Sequence, residues 1–133
     1  MKRVLVFGTF DRVHKGHLEF LRQAKECGDY LIVVVGRDAV VGKIKGQEPI
    51  LSENERAEDL RRIPIVNEVL LGNIGNPYKI IEEIKPDVIC LGYDQNSFTE
   101  GLQRALDKLN SKTKVVRLKA FKPEKYHSSI LNK

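Results

Sequence analysis

His14 and His17 stand three positions apart, with Gly16 between them and Gly8, Thr9 and Asp11 a short way upstream. At a helix start, two imidazoles at that spacing project to one side. Imidazole N–H groups donate to phosphate oxygens and stabilise the charge that develops during phosphoryl transfer. The first turn of a helix adds unpaired backbone N–H groups and the positive end of the dipole, which suit an anion. The chemistry these residues suggest is phosphate binding and transfer. Zinc is a poor alternative, because no third ligand follows at a recognisable spacing. No GxGxxG follows the first strand-like run, so a dinucleotide cofactor is not expected, and GxxxxGK[ST] is missing as well. Cys27 and Cys90 belong to no CxxC pair and read as reduced, mostly buried thiols.

The histidines need a strand before them and a helix after them. Arg3 to Gly8 is a short β-branched run ending in glycine and reads as a buried strand. Lys15 to Cys27 carries Leu18, Leu21 and Ala24 at helical spacing. Tyr30 to Gly36 is almost wholly apolar, as in a strand covered on both faces. Arg37 to Leu51 reads as a long polar loop, and Ser52 with Glu55 forms a capping box for a helix running to about Arg62. The spacing then predicts a strand over Asn67 to Leu71, a helix opened by Pro77 and ending near Lys85, and a strand over Val88 to Gly92. A helix over Phe98 to Leu109 and a fifth strand over Lys114 to Lys119 follow, and the tail from Ala120 to Lys133 is polar.

Strand and helix alternate throughout, which predicts one α/β domain over residues 1–133: a doubly wound, five-stranded parallel sheet with helices on both faces. Ligands of such folds bind beyond the carboxyl ends of the strands, where the strand order reverses. The residues expected there are Gly8 to Asp11, Gly36 to Asp38, Gly72 with Asn73, and Gly92 to Asn96.

The 133-residue length suits one domain, and 41% hydrophobic and 31% charged residues are ordinary for a globular chain. The longest apolar run, Tyr30 to Val35, is too short to cross a bilayer, and no signal-peptide pattern follows Met1, so a cytoplasmic protein without a membrane partner is expected. The net charge of +5 suits an anionic partner. The basic residues form no run and aromatics are few, so a phosphorylated small molecule is expected rather than nucleic acid.

Gly8-Thr9-Phe10-Asp11-Arg12-Val13-His14-Lys15-Gly16-His17 resembles the HxGH signature of the cytidylyltransferase-like nucleotidyltransferase superfamily. A second signature, ISSTxIR, has a counterpart in Tyr126 to Asn132, where Asn132 stands in place of the family's Arg or Lys. Lys43, Lys45 and Arg56 match basic positions of small one-domain members such as glycerol-3-phosphate cytidylyltransferase. The stretches Gly36 to Asp38, Val41 to Gly46, Leu71 to Asn73 and above all Leu91-Gly92-Tyr93-Asp94-Gln95-Asn96 are most similar to the archaeal-type FAD synthases, which join FMN to the AMP part of ATP.

The resemblance implies an adenylyltransferase with ATP as co-substrate, Mg2+ or another divalent cation bridging phosphates rather than a dedicated protein metal site, and a homodimer. It implies that His14 and His17 bind the α- and β-phosphates and that Gly8, Thr9 and Phe10 line the nucleotide. Lys43 and Arg56 would neutralise the acceptor phosphate or the triphosphate. Gly92, Asp94 and Asn96 would meet ribose or base, and Ser128 and Ser129 the β- and γ-phosphates. Asp11 has two readings, a magnesium contact or a loop-fixing carboxylate. Cytidylyl transfer to glycerol-3-phosphate or a related alcohol phosphate is the alternative within the class. Adenylyl transfer to phosphopantetheine or a sugar phosphate, and a catalytically silent nucleotide-binding homologue, are the others.

Overall fold

The computed structural model describes residues 1–38, 50–73, 78–92 and 99–118. Five strands, β1 (Arg3–Gly8), β2 (Tyr30–Val35), β3 (Glu68–Leu71), β4 (Val88–Leu91) and β5 (Lys114–Arg117), form one sheet in the order β3-β2-β1-β4-β5. Every pairing is parallel. The helices between them are α1 (Lys15–Glu26), α2 (Glu53–Arg61), α3 (Lys79–Ile84) and α4 (Thr99–Lys108). The predicted doubly wound, five-stranded parallel sheet is therefore the one observed.

Alternation along the strands divides the core in two. Val4, Val6, Leu31, Val33 and Val35 pack with Leu21 and Ala24 of α1 and with Ala57 and Leu60 of α2. Leu5, Phe7, Ile32, Val34, Ile89 and Leu91 pack on the opposite face with Ile80 and Ile81 of α3 and with Leu102 and Leu106 of α4. Being covered on both faces is why β1 and β2 read as unbroken apolar runs rather than as alternating ones. Strand order reverses beside β1: the chain moves outward through β2 to β3, then returns to lay β4 on the other side of β1. The carboxyl ends of β1 and β4 thus flank the crevice where such sheets bind ligands.

Predicted and observed boundaries differ at the ends, for identifiable reasons. The amides of Gly36, Gly72 and Leu118 still donate to Gly8, Val35 and Leu91 carbonyls one residue past the strands. Asn67 likewise donates to Leu31 just before β3. These residues share the ladder without belonging to it. The helix predicted to reach Lys85 stops at Ile84, and Lys85 takes a left-handed φ of 52°. Pro86 follows, and its ring disfavours a helical residue before it. Leu18 shares the apolar spacing of α1 but is 44% exposed, so α1 enters the core only from its second turn.

Candidate nucleotide-transfer site

The chain leaves β1 at Gly8 and enters α1 at Lys15 through a sharply turned loop. Phe10 and Arg12 both have left-handed backbone there, with φ of 54° and 63°. Two contacts hold this loop. The Asp11 carboxylate accepts the amides of Ile50 (2.8 Å) and Leu51 (2.9 Å), just ahead of α2. Arg56 Nη1 donates to the Thr9 carbonyl at 2.7 Å. Of the two readings of Asp11, the geometry supports the loop-fixing carboxylate. Burial acts to raise its pKa, but the Leu51 and Ile50 N–H groups and the Arg56 and Arg12 charges outweigh it, leaving the carboxyl below its usual 3.8.

His14 is the N-cap of α1, with extended backbone. Its Nδ1 accepts the Gly16 amide at 3.0 Å. Gly16 is needed at that spot, because a Cβ there would lie 2.9 Å from the ring's Cε1. The Nδ1 of His17 accepts the His14 amide at 3.2 Å, closing a capping box in which both members are histidines. The two rings stack with centroids 4.0 Å apart and planes 25° apart. An imidazole nitrogen that accepts a backbone N–H carries no hydrogen, so each ring bears its hydrogen on Nε2. Two Nε2–H donors beside a helix N-terminus form an arrangement that can bind and polarise phosphate oxygens.

Behind this pair lies a polar network tying three strand ends to α2. Arg56 has no exposed surface. Its Nε donates to Leu51 O at 3.2 Å and its Nη2 to Asp38 Oδ1 at 2.6 Å. Asp38 Oδ2 accepts the Glu53 amide, and Glu53 accepts from the Asp38 amide and from Arg37 Nε. Arg37 Nη1 also reaches Gly72 O, at 3.4 Å. The guanidinium expected to neutralise phosphate is therefore turned inward, where all three of its nitrogens bond to protein. Burial is the physical reason it supports the loop from behind.

The fold thus brings together Gly8, Thr9, Phe10, His14 and His17, with Arg56 beneath them. Gly92 stands at the carboxyl end of β4, where its carbonyl accepts Arg117 Nη1 at 2.7 Å. Lys43, Asp94, Asn96, Ser128 and Ser129 lie outside the described residues. Asp38, expected at the ligand end of β2, pairs with Arg56 instead, and Glu53, outside the expected site, joins it; the sequence carries a signal for this pairing. Arg56 falls on the same helical face as Ala57 and Leu60, and a cation on a buried face needs an acidic partner at the nearest strand end.

A parallel sheet with this strand order, with a histidine pair capping the first helix at the reversal point, has the architecture of a nucleotidyltransferase-type α/β protein. The chain belongs to the cytidylyltransferase-like family, whose model matches residues 5–133. It is 46% identical over 120 residues to the FAD synthase of Ferroglobus placidus, covering 90% of this chain and 78% of that one. It is 41% identical over 129 residues to the FAD synthase of Thermococcus sibiricus, covering 96% and 84%. Among solved structures, a Thermoplasma volcanium protein described as a lipopolysaccharide core biosynthesis protein superposes with a TM-score of 0.85 at 39% identity, covering 91% of this chain and 98% of that one.

Proposed function

We propose that the protein transfers AMP from ATP to FMN, giving FAD and pyrophosphate. The observation that carries nucleotidyl transfer is the stacked pair His14 and His17, with both Nδ1 atoms engaged by backbone amides. FMN as acceptor is supported by the FAD synthases that match most of the chain at 41% and 46% identity.

In this reading a phosphate oxygen of FMN attacks the α-phosphorus of ATP in line. The new P–O bond forms as the bond from the α-phosphorus to the bridging oxygen breaks, and pyrophosphate leaves with that electron pair. No covalent enzyme intermediate is needed, so the protein positions the reactants and neutralises charge. The Nε2–H groups of His14 and His17 donate to the α- and β-phosphate oxygens. The N–H groups of the first turn of α1 meet the same anion. Thr9 and Phe10 contribute backbone contacts, and Arg56 keeps the Thr9 carbonyl in place. Lys43 would neutralise the acceptor phosphate, Gly92, Asp94 and Asn96 would receive ribose and base, and Ser128 and Ser129 the outer phosphates.

A divalent cation, Mg2+ being the usual choice, would lower the charge of the triphosphate. In this reading the ion is carried on the nucleotide, and the Asp11 oxygens accept the amides of Ile50 and Leu51. The reading includes soluble small-molecule substrates and a homodimer. No helix among the described residues is long and apolar enough to cross a membrane.

The deciding experiment supplies Mg2+ with ATP plus FMN, and separately with CTP plus glycerol-3-phosphate, and follows pyrophosphate. FAD formation with release dependent on both ATP and FMN is expected. Release with the CTP pair alone would reassign the protein to the cytidylyl class.

A further inference from the structure

Phe10 is 4% exposed, yet its backbone is left-handed, with φ 54°. A bulky L-residue rarely adopts that region, and such strain persists only where surrounding structure holds it, most often at functional sites. Here it is held from both sides, by Arg56 on Thr9 O and by the amides of Ile50 and Leu51 on Asp11. The turned backbone lays the ring back over Gly8, where a Cβ would fall 2.5 Å from the ring's Cε2. The slot exists because residue 8 has no side chain. From it, the ring makes a T-shaped contact with His17, centroids 5.4 Å apart and planes at 63°. Phe20 lies on it at 6.4 Å, tilted by 35°. Filling the core would not by itself require a strained residue, since Leu or Ile in ordinary backbone buries as well.

We propose that Phe10 is a positioning residue for nucleotidyl transfer, its ring pressed by the strained loop against His17 so that the imidazole keeps Nδ1 on the His14 amide and Nε2–H toward the reacting phosphate. A half-turn of the imidazole about χ2 would exchange Nε2 with Cε1 and present a carbon where a donor is required. The edge-to-face contact opposes that turn from one side, and the His14 stack opposes it from the other. This assignment rests on the reading that His17 acts on the nucleotide phosphates.

The test uses Phe10→Leu, which keeps apolar bulk and removes the ring, in the whole protein. Turnover in FAD formation is expected to fall about tenfold while KM for ATP stays within about twofold. In a His17→Ala background the same substitution should change turnover by less than about twofold, since it acts through His17. Losses that multiply in the double variant, or wild-type turnover in Phe10→Leu, overturn the proposal. Nitrogen-15 spectra of the histidines, recorded without substrates, give a readout separate from activity. His17 should be a single Nε2–H tautomer in the wild type and an average of tautomers in Phe10→Leu. Gly8→Ala, which displaces the ring without deleting it, should give the same change and serves if Phe10→Leu folds poorly. A His17 pattern unaltered in both variants overturns the proposal. Should the wild type make no FAD, the functional reading fails while the spectra still decide the role of Phe10.

Discussion

Arg56 and Asp38 meet at 2.6 Å in an ion pair whose cation is wholly buried while its carboxylate side chain is 41% exposed. The cation is therefore the vulnerable partner. Its charge was taken out of water when α2 packed onto the sheet, and that cost is offset only if its donors all find acceptors. Each of its three nitrogens donates to a different segment: Thr9 after β1, Asp38 after β2, and Leu51 ahead of α2. One side chain thereby sets the spacing of the loop that leads to the histidines.

Arg56→Lys tests that geometry. An ammonium is a compact charge on a flexible stem and cannot serve three acceptors set around a planar fork. The variant should lose about 2 kcal/mol in urea unfolding, within the range for a lost charge-assisted hydrogen bond. Turnover should fall too, because the Thr9 carbonyl is released. An unchanged urea midpoint would show that the fork is not needed.

His14→Asn separates capping from chemistry. Asparagine is a strong N-cap and can accept the Gly16 amide, so α1 should keep its amide protection in hydrogen exchange. The Nε2–H donor and the stack on His17 are lost, and turnover should drop by about 10²–10³, as for removal of one donor to developing charge. His17→Ala should cost more than about tenfold with the fold intact. Wild-type rates in either variant would remove that histidine from the mechanism.

Much of this site was legible in the sequence, because local chemistry dictates it. Gly8 had to end a strand, Ser52 with Glu55 had to start a helix, and His14 and His17 had to share a side of α1, as their stacked rings do. What one sequence could not reveal were relationships across long separations. Arg56 reads as a phosphate-neutralising cation, and its contact with Thr9, 47 residues away, appears only when α2 packs on the sheet. Asp11 reads as a loop-fixing carboxylate or a metal contact, and its partners Ile50 and Leu51 lie 39 and 40 residues on, beyond the reach of local pattern. Leu18 looked like core because helical periodicity does not say where a helix begins to touch its sheet.

The two thiols should differ in reactivity. Burial, and next to it the neighbouring Cys27, pushes the Cys90 thiol far above the ordinary thiol range. Thiolate is the reactive form, so Cys90 should resist a thiol reagent in the native protein. Cys27 is half-buried at the end of α1, where its Sγ lies 3.6 Å from the Gln23 carbonyl. A thiol titration should show Cys27 reacting first and Cys90 only after denaturant is added. Equal rates for both in the native protein would contradict the burial of β4.

Asp11 should mark the acid limb of stability. Its folded pKa lies below 3.8, so the folded state favours the ionised form more than the unfolded chain does. That stabilisation is fully present above the unfolded pKa and is lost as pH falls through the folded one. Asp11→Asn, which cannot ionise and offers one acceptor oxygen in place of two, should be less stable than the wild type by a constant margin from neutrality down to about pH 5. The margin should narrow as the pH falls below 3.8 and the wild-type carboxyl takes up its proton. Urea midpoints of both proteins at several values across that span would show it. Parallel curves throughout would mean that the charge on Asp11 contributes nothing beyond what a neutral acceptor gives, and that the amides of Ile50 and Leu51 are held by the surrounding chain rather than by the carboxylate.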